Sequence, residues 1–242
     1  MDNGKGKVLI DGDIVAYRAA FATQDQSPED AVAKVDELMS FIIDKTIDIP
    51  FPSTEDFNTY LTGRENFRFD IAKSHEYKGN RKETEKPIYL YHCREYMIDS
   101  YSAVVSQGEE ADDLISKAAA ELGYHCVVAS IDKDMLQLPC WHFNFGRNEW
   151  TKVTPEEGLK FFYTQILIGD RADNIIGLYG IGPKKADKLL QDCNTEDDLW
   201  SAVVKAYDGD TERVIENARL LWLRRYEGEL WCPPKHGFVE DV

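Results

Sequence analysis

The 242-residue sequence predicts an α/β fold, and three observations carry that expectation. Two short apolar runs, Lys7-Val8-Leu9-Ile10-Asp11 and His125-Cys126-Val127-Val128-Ala129-Ser130, have the length and composition of buried strands. Between and after them lie segments whose apolar residues recur at helical spacing, as in Pro28–Ile47. Acidic residues recur just beyond the strand ends, where α/β folds collect their ligands.

Taken in order, the first strand ends in Asp11-Gly12-Asp13, two acids that either serve chemistry or start a turn and cap a helix over 14–21. The stripe Ala31, Val35, Leu38, Met39, Ile42 and Ile43 gives the next helix a core face, and Ile49-Pro50-Phe51-Pro52 stops it. A strand over 57–61 follows, with a turn at Thr62-Gly63. The run from His75 to Lys82 holds three cations, one aromatic and a glycine, a mixture suited to a phosphate backbone or simply to a solvated loop. A helix over 88–98 and a short strand over 103–105 lead to Gly108-Glu109-Glu110-Ala111-Asp112-Asp113. There, acids begin a helix running to Leu122; they suit a helix N-terminus, and Glu110 and Asp113, three apart, also share a face.

The central strand 125–130 delivers Asp132 and Asp134, which in extended chain point the same way. Two carboxylates held together repel, and a divalent cation turns that repulsion into binding. Strands over 141–145 and 150–153 flank a turn at Gly146-Arg147-Asn148. Thr154-Pro155-Glu156-Glu157 starts a helix to Leu167, after which Asp170 and Asp173 share a face if their loop is a helical turn. In Gly180-Ile181-Gly182-Pro183-Lys184-Lys185-Ala186 the glycines permit close backbone approach and Pro183 opens a helix whose N–H groups can meet phosphate, with Lys184 and Lys185 beside them. Two amphipathic helices, 195–207 and 211–226, end the chain before a tail at Trp231-Cys232-Pro233-Pro234.

Composition narrows the function. The chain is 43% hydrophobic and 30% charged, a globular balance without an apolar run long enough for a membrane span. The N-terminus leads into a strand rather than a signal-peptide core, and five scattered cysteines lack metal or redox spacing, so a reduced cytoplasmic protein is expected. The net charge of −16 means that any nucleic-acid binding rests on local basic patches and bound cations, with an affinity that falls sharply as salt rises.

The segments Leu9-Ile10-Asp11-Gly12, Tyr77-Lys78-Gly79-Asn80-Arg81, Glu110-Ala111-Asp112-Asp113, Ser130-Ile131-Asp132-Lys133-Asp134, Gly169-Asp170-Arg171-Ala172-Asp173-Asn174 and the Gly180–Ala186 motif occur in one order. Together, over roughly residues 7 to 190, they resemble the 5′-nuclease or flap-endonuclease superfamily, particularly bacteriophage 5′–3′ exonucleases and the 5′-nuclease domains of bacterial DNA polymerases. The resemblance implies a PIN-like three-layer α/β/α core over 1–154. A helical DNA-binding region over 155–242 would follow, with a helix-three-turn-helix (helix-hairpin-helix-type) module at about 166–191.

It further implies phosphodiester hydrolysis with two Mg²⁺ or Mn²⁺ ions. Asp11, Glu110 and Asp112 would hold the first, and Asp132, Asp134, Asp170 and Asp173 the second, with Asp113 adjacent or acting through water. Lys78 and Arg81 match the family's catalytic cations and Tyr77 its stacking aromatic. The hairpin residues Gly180, Gly182, Lys184 and Lys185 would hold DNA, and family hairpins often bind K⁺. Expected substrates are DNA with 5′ ends or flaps, and RNA–DNA hybrids, met as a monomer alongside replication proteins.

Two departures stand out. The family's upstream Gly-Asp metal ligand has no match in 61–70, where Glu65 or Asp70 would have to substitute, and the stretch from Arg81 to Glu110 is short for a closed helical arch. The first leaves a second reading, a DNA-junction binder with a weakened site. A PIN-type ribonuclease is a third reading, disfavoured by a hairpin suited to duplex DNA.

Overall fold

A computed structural model describes residues 6–47, 56–81 and 85–234. In chain order the elements begin with β1 (Lys7–Asp11), α1 (Gly12–Ala22), α2 (Pro28–Ile47), β2 (Asp56–Leu61), α3 (Arg68–Ile71), a 3₁₀ turn (Gly79–Arg81), α4 (Leu90–Tyr101) and β3 (Val104–Val105). They continue with α5 (Ala111–Glu121), β4 (Cys126–Ala129), a second 3₁₀ turn (Lys133–Gln137), β5 (Trp141–Asn144) and β6 (Glu149–Lys152). The last are α6 (Pro155–Ile168), β7 (Gly169–Asp170), β8 (Ile175–Ile176), α7 (Pro183–Leu190), α8 (Glu196–Ala206) and α9 (Thr211–Leu221). The helix break at 49–52 and Lys82 lie outside the described residues.

The chain forms two compact units. The first comprises residues 1–66, 85–154 and 225–227, and the second 67–84, 155–224 and 228–242. The described part of the basic segment, 67–81, read from sequence as part of the first domain, therefore packs with the second unit.

The first unit is built on a six-stranded sheet of order β3-β2-β1-β4-β5-β6. All its neighbours pair in parallel except β5 and β6, which form an antiparallel hairpin. Central parallel strands need cover on both faces, which explains why β4 reads as four consecutive buried residues, Cys126 to Ala129. Val8 and Ile10 of β1 join one face to Val15, Ala16 and Ala19 of α1, Val35, Met39 and Ile42 of α2, and Cys93 and Met97 of α4. Leu9, fully buried, points to the other face, where α5 packs on β1 and β2. The strands run one way from β1 through β2 to β3, and the chain then returns to lay β4 on β1's other edge. The β1–β4 boundary is thus the point where strand order reverses, the place at which such sheets leave a crevice beyond their carboxyl ends.

Local sequence sets the helix starts. At α2, Ser27 Oγ accepts from Asp30 N at 3.2 Å and the Asp30 carboxylate accepts from Ser27 N at 3.0 Å. At α8, Thr195 and Asp198 exchange the same pair of bonds.

The second unit packs α6, α7, α8 and α9 around Phe162, Tyr163, Ile166, Trp200, Val203 and Trp231. The Phe162 ring meets Trp222 at 4.8 Å and Trp231 at 5.7 Å between centroids. Arg68 is buried and completes the end of α9, donating from Nε to Leu220 O at 2.8 Å and from Nη2 to Trp222 O at 2.9 Å. A guanidinium suits that place because the last helical carbonyls lack backbone partners and carry the negative end of the dipole. Among the described residues all five cysteines are free thiols, and no helix is long and apolar enough to cross a membrane.

Candidate active site

In the first unit the predicted acids gather along the carboxyl edge of the sheet. Asp11, the last residue of β1, is buried, and its Oδ1 accepts from Ile14 N at 3.2 Å, capping α1. Its Oδ2 accepts from Ser130 Oγ at 2.7 Å, just beyond the end of β4. Burial, with help from the charges of Asp13 and Asp132, pushes the Asp11 carboxyl up to about 7, against the pull of the Ser130 and Ile14 hydrogen bonds.

Asp132 and Asp134 depart from the expected extended geometry. Asp132 caps the 3₁₀ turn Lys133–Gln137, and its Oδ1 accepts from Asp134 N at 2.9 Å. A short carboxylate bonds the backbone two residues on more readily than it stays extended. The alternation that would have aligned the two side chains is therefore absent.

The acids before α5 arrive at the same edge by a different route. Glu110 is the N-cap of α5 and exchanges capping-box bonds with Asp113, whose side chain is fully buried and accepts from Glu110 N at 3.2 Å. Asp112 stands between them, half-buried. Ala111 N donates to Thr62 Oγ1 at 3.0 Å, and Gly63 N to Ser106 Oγ at 2.8 Å, which ties the start of α5 to the carboxyl ends of β2 and β3. A Cβ on Gly63 would lie 2.0 Å from Ser106 O, so glycine is required for that approach. Asp13 is committed elsewhere, accepting from Thr62 N at 2.8 Å and pairing with Arg94.

In the second unit the basic motif and the loop after α6 are bonded together. Lys78 N donates to Asp173 O at 2.9 Å, Asn80 Nδ2 to Arg171 O at 2.7 Å, Arg81 Nε to Ala172 O at 2.8 Å, and Asn174 Nδ2 to Glu76 O at 2.8 Å. The Asp173 carboxylate accepts from Tyr77 Oη at 2.7 Å, is paired with Arg81, and has Lys78 Nζ at 3.8 Å. Tyr77 is 2% exposed, its ring packed edge-on against Phe69, so it is no platform for a base. Read from sequence as a stacking aromatic, it instead points its hydroxyl at Asp173.

Asp170 is not on a helical turn. It ends the strand β7, and its Oδ1 accepts from Ala172 N at 2.6 Å and from Asp173 N at 3.3 Å. Gly169 forces this geometry. Its φ is +75°, and an added Cβ would lie 2.3 Å from Ile175 O across the β7–β8 hairpin. Further on, Gly182 caps α7 with Pro183 in its first turn, and Lys184 is exposed. Lys185 Nζ donates to Gly180 O at 2.8 Å, so one hairpin carbonyl that a K⁺ ion would use already faces an ammonium. Of the two substitutes for the missing upstream acid, Glu65 is exposed on the first unit and Asp70 belongs to the second.

Among the described residues, no three acidic, histidine or cysteine side chains already stand at ligand spacing. Several predicted ligands accept from nearby backbone N–H groups. The donors fit hard divalent ions such as Mg²⁺, being carboxylate oxygens, with the pKa of one carboxyl raised chiefly by burial and further by the charges of Asp13 and Asp132.

Residues 7–160 match the family described as 5′–3′ exonuclease, N-terminal resolvase-like domain. The chain belongs to this 5′–3′ exonuclease family. It is 31% identical over 223 residues to DNA polymerase I of Bacillus caldotenax, covering 82% of this chain and 25% of the polymerase. With the 5′–3′ exonuclease of Buchnera aphidicola it shares 28% identity over 221 residues, 82% of this chain and 74% of that one. The chain thus spans about a quarter of the polymerases that it matches. Among solved structures, T5 D15 protein co-crystallised with metal ions superposes with a TM-score of 0.67 at 18% identity, covering 89% of this chain and 88% of that one. Flap endonuclease-1 from Methanococcus jannaschii gives 0.58 at 16% identity, covering 98% and 85%. These likenesses establish a PIN-like mixed α/β fold around a central sheet.

One residue that sequence reasoning passed over is Ser130. It lay inside a quoted motif, but a small polar residue ending an apolar run carries no signal of its own.

Proposed function

We propose that this protein is a divalent-cation-dependent 5′–3′ exonuclease and 5′ flap endonuclease that hydrolyses DNA phosphodiesters in replication or recombination. RNA primers in RNA–DNA hybrids are a further substrate, and the setting is the cytoplasm, of a host cell if the chain is viral. The observation that carries the reading is Asp11: a buried carboxyl at the strand-order reversal, pushed up to about 7 beside Asp13 and Asp132. Such a placement weakens the fold unless a cation is bound there. Asp11, Glu110 and Asp112, with Asp113 adjacent, are the first-ion candidates, and Asp132 and Asp134 belong to the second ion. In the second unit, Asp170 and Asp173 are candidate ligands.

When bound, the ions supply Lewis-acid polarisation of the scissile phosphate and favour deprotonation of attacking water. The chain's own residues do the rest. Lys78 and Arg81 neutralise phosphate charge once they exchange Asp173 for substrate, and Tyr77 keeps Asp173 oriented meanwhile. Gly182 leaves open space for a backbone, since an added Cβ there would meet nothing within 4 Å. Lys184 and Lys185, with the first N–H groups of α7 in a helix-three-turn-helix module, hold the duplex without reading its sequence. K⁺ at this hairpin would have to displace Lys185 from Gly180 O or use other carbonyls.

The pairing of Asp173 with Arg81 favours the second reading, a junction binder that cuts little, because it ties up a ligand and a catalytic cation together. Cleavage of a 5′-labelled flap duplex with Mg²⁺ or EDTA, by wild type and Asp132→Ala, separates the two. Metal-dependent release of short 5′ products, lost in the variant, is expected. Binding without cutting, unchanged by the substitution, would establish the binder instead.

A further inference from the structure

We infer that Ser130 is a positioning residue for the cation site, an inference that rests on the proposed metal-dependent reading. A single hydroxyl serves both central strands. Ser130 Oγ donates to Asp11 Oδ2 at 2.7 Å and accepts from Asp132 N at 3.0 Å. The direction of these bonds is fixed by chemistry. The Asp132 backbone group can only donate, so the one hydroxyl proton of Ser130 goes to Asp11.

The consequence is an oriented carboxylate. Ile14 N holds Asp11 Oδ1 at 3.2 Å while Ser130 holds Oδ2, so each oxygen has one donor and the plane of the group is set before a cation arrives. The same hydroxyl anchors the backbone of Asp132, which caps the turn carrying Asp134. Ser130 is itself buried, 7% exposed, so water replaces it poorly when it is removed. Partners that orient ligating groups typically change metal affinity about 10–100-fold when they are lost.

The test is direct binding of Mn²⁺, without DNA, to wild type, Ser130→Ala, Ser130→Thr and Asp11→Ala, followed by electron paramagnetic resonance. Circular dichroism melts confirm that each variant is folded. Binding weakened about 10-fold or more in Ser130→Ala and recovered in Ser130→Thr, which keeps the hydroxyl, is the expected result. Wild-type affinity in Ser130→Ala, with Asp11→Ala having lost its binding, would overturn the role of Ser130 and leave the metal reading intact. Equal losses in folded Ser130→Ala and Ser130→Thr would point to packing and overturn it too. Failure of wild type itself to bind Mn²⁺ would remove the metal reading and this inference together.

Discussion

Replacing Asp11 by asparagine should make the cation-free protein more stable while removing its activity, and the size of the gain should depend on pH. The Asp11 carboxyl sits at about 7 in the folded chain against 3.8 for an ordinary aspartate. Its folded value is raised, so the stability it contributes is complete below about pH 4 and is lost as pH climbs through about 7. The full handicap above that range is about 4 kcal/mol. Between pH 5 and pH 8 it grows by about 2.5 kcal/mol. Asparagine is neutral throughout, its carbonyl can still accept from Ile14 N, and its amide can donate to Ser130 Oγ. Urea unfolding of both proteins in EDTA at pH 5 and pH 8 measures the difference. Asp11→Asn should gain on wild type by about 2.5 kcal/mol over that interval. Added Mg²⁺ should then stabilise wild type far more than the variant. Two stability curves separated by a constant offset at all pH values would refute the argument, because burial of a titrating charge would not be its source.

Other perturbations follow from the second unit. Gly169→Ala places a Cβ 2.3 Å from Ile175 O at φ +75°, and should cost roughly 3 kcal/mol or more in urea unfolding. Arg68→Met keeps much of the side-chain bulk but leaves the Leu220 and Trp222 carbonyls without their donors; a loss of about 2–4 kcal/mol in thermal or urea melts is expected. Tyr77→Phe removes the hydroxyl that bonds Asp173. It should lower stability by about 1 kcal/mol in urea melts, whereas Tyr77→Leu, which removes the ring, should leave affinity for single-stranded DNA unchanged if the protein stays folded; a weaker affinity there would restore the stacking role.

Much of the scaffold was legible because its signals are local. Val8 to Ile10 and Cys126 to Ala129 read as buried strands, Pro28 to Ile47 as a helix with a core face, and Thr154-Pro155 as the start of α6. The position of Asp11 followed from where its strand ends. The misread details depend on competition or on distance. Asp132 and Asp134 were expected to point the same way in extended chain, and Asp170 and Asp173 to share a face on a helical turn, but Asp132 and Asp170 each bond the backbone just ahead, and that local bond reshapes the loop. Tyr77 sits among cations in sequence, yet its ring fills a core made by residues some 85 or more positions later. Strand order left no local mark either, because register is decided by packing across the whole sheet.

The path of the chain through Arg68 constrains how this protein can be divided. The guanidinium that finishes α9 comes from a segment made well before that helix, and Tyr77 of the same segment fills the core of α6 to α9. A fragment starting at Pro155 would carry four long helices and still lack the donors for its last carbonyls and one wall of its interior. A fragment ending at Thr154 would carry 67–81 with nothing to pack them on, and would lose the Arg225 bond to Ser116 Oγ at 2.8 Å. Neither half is a transferable cassette: cutting the chain at the apparent joint at 154 strips each unit of a segment that it packs on.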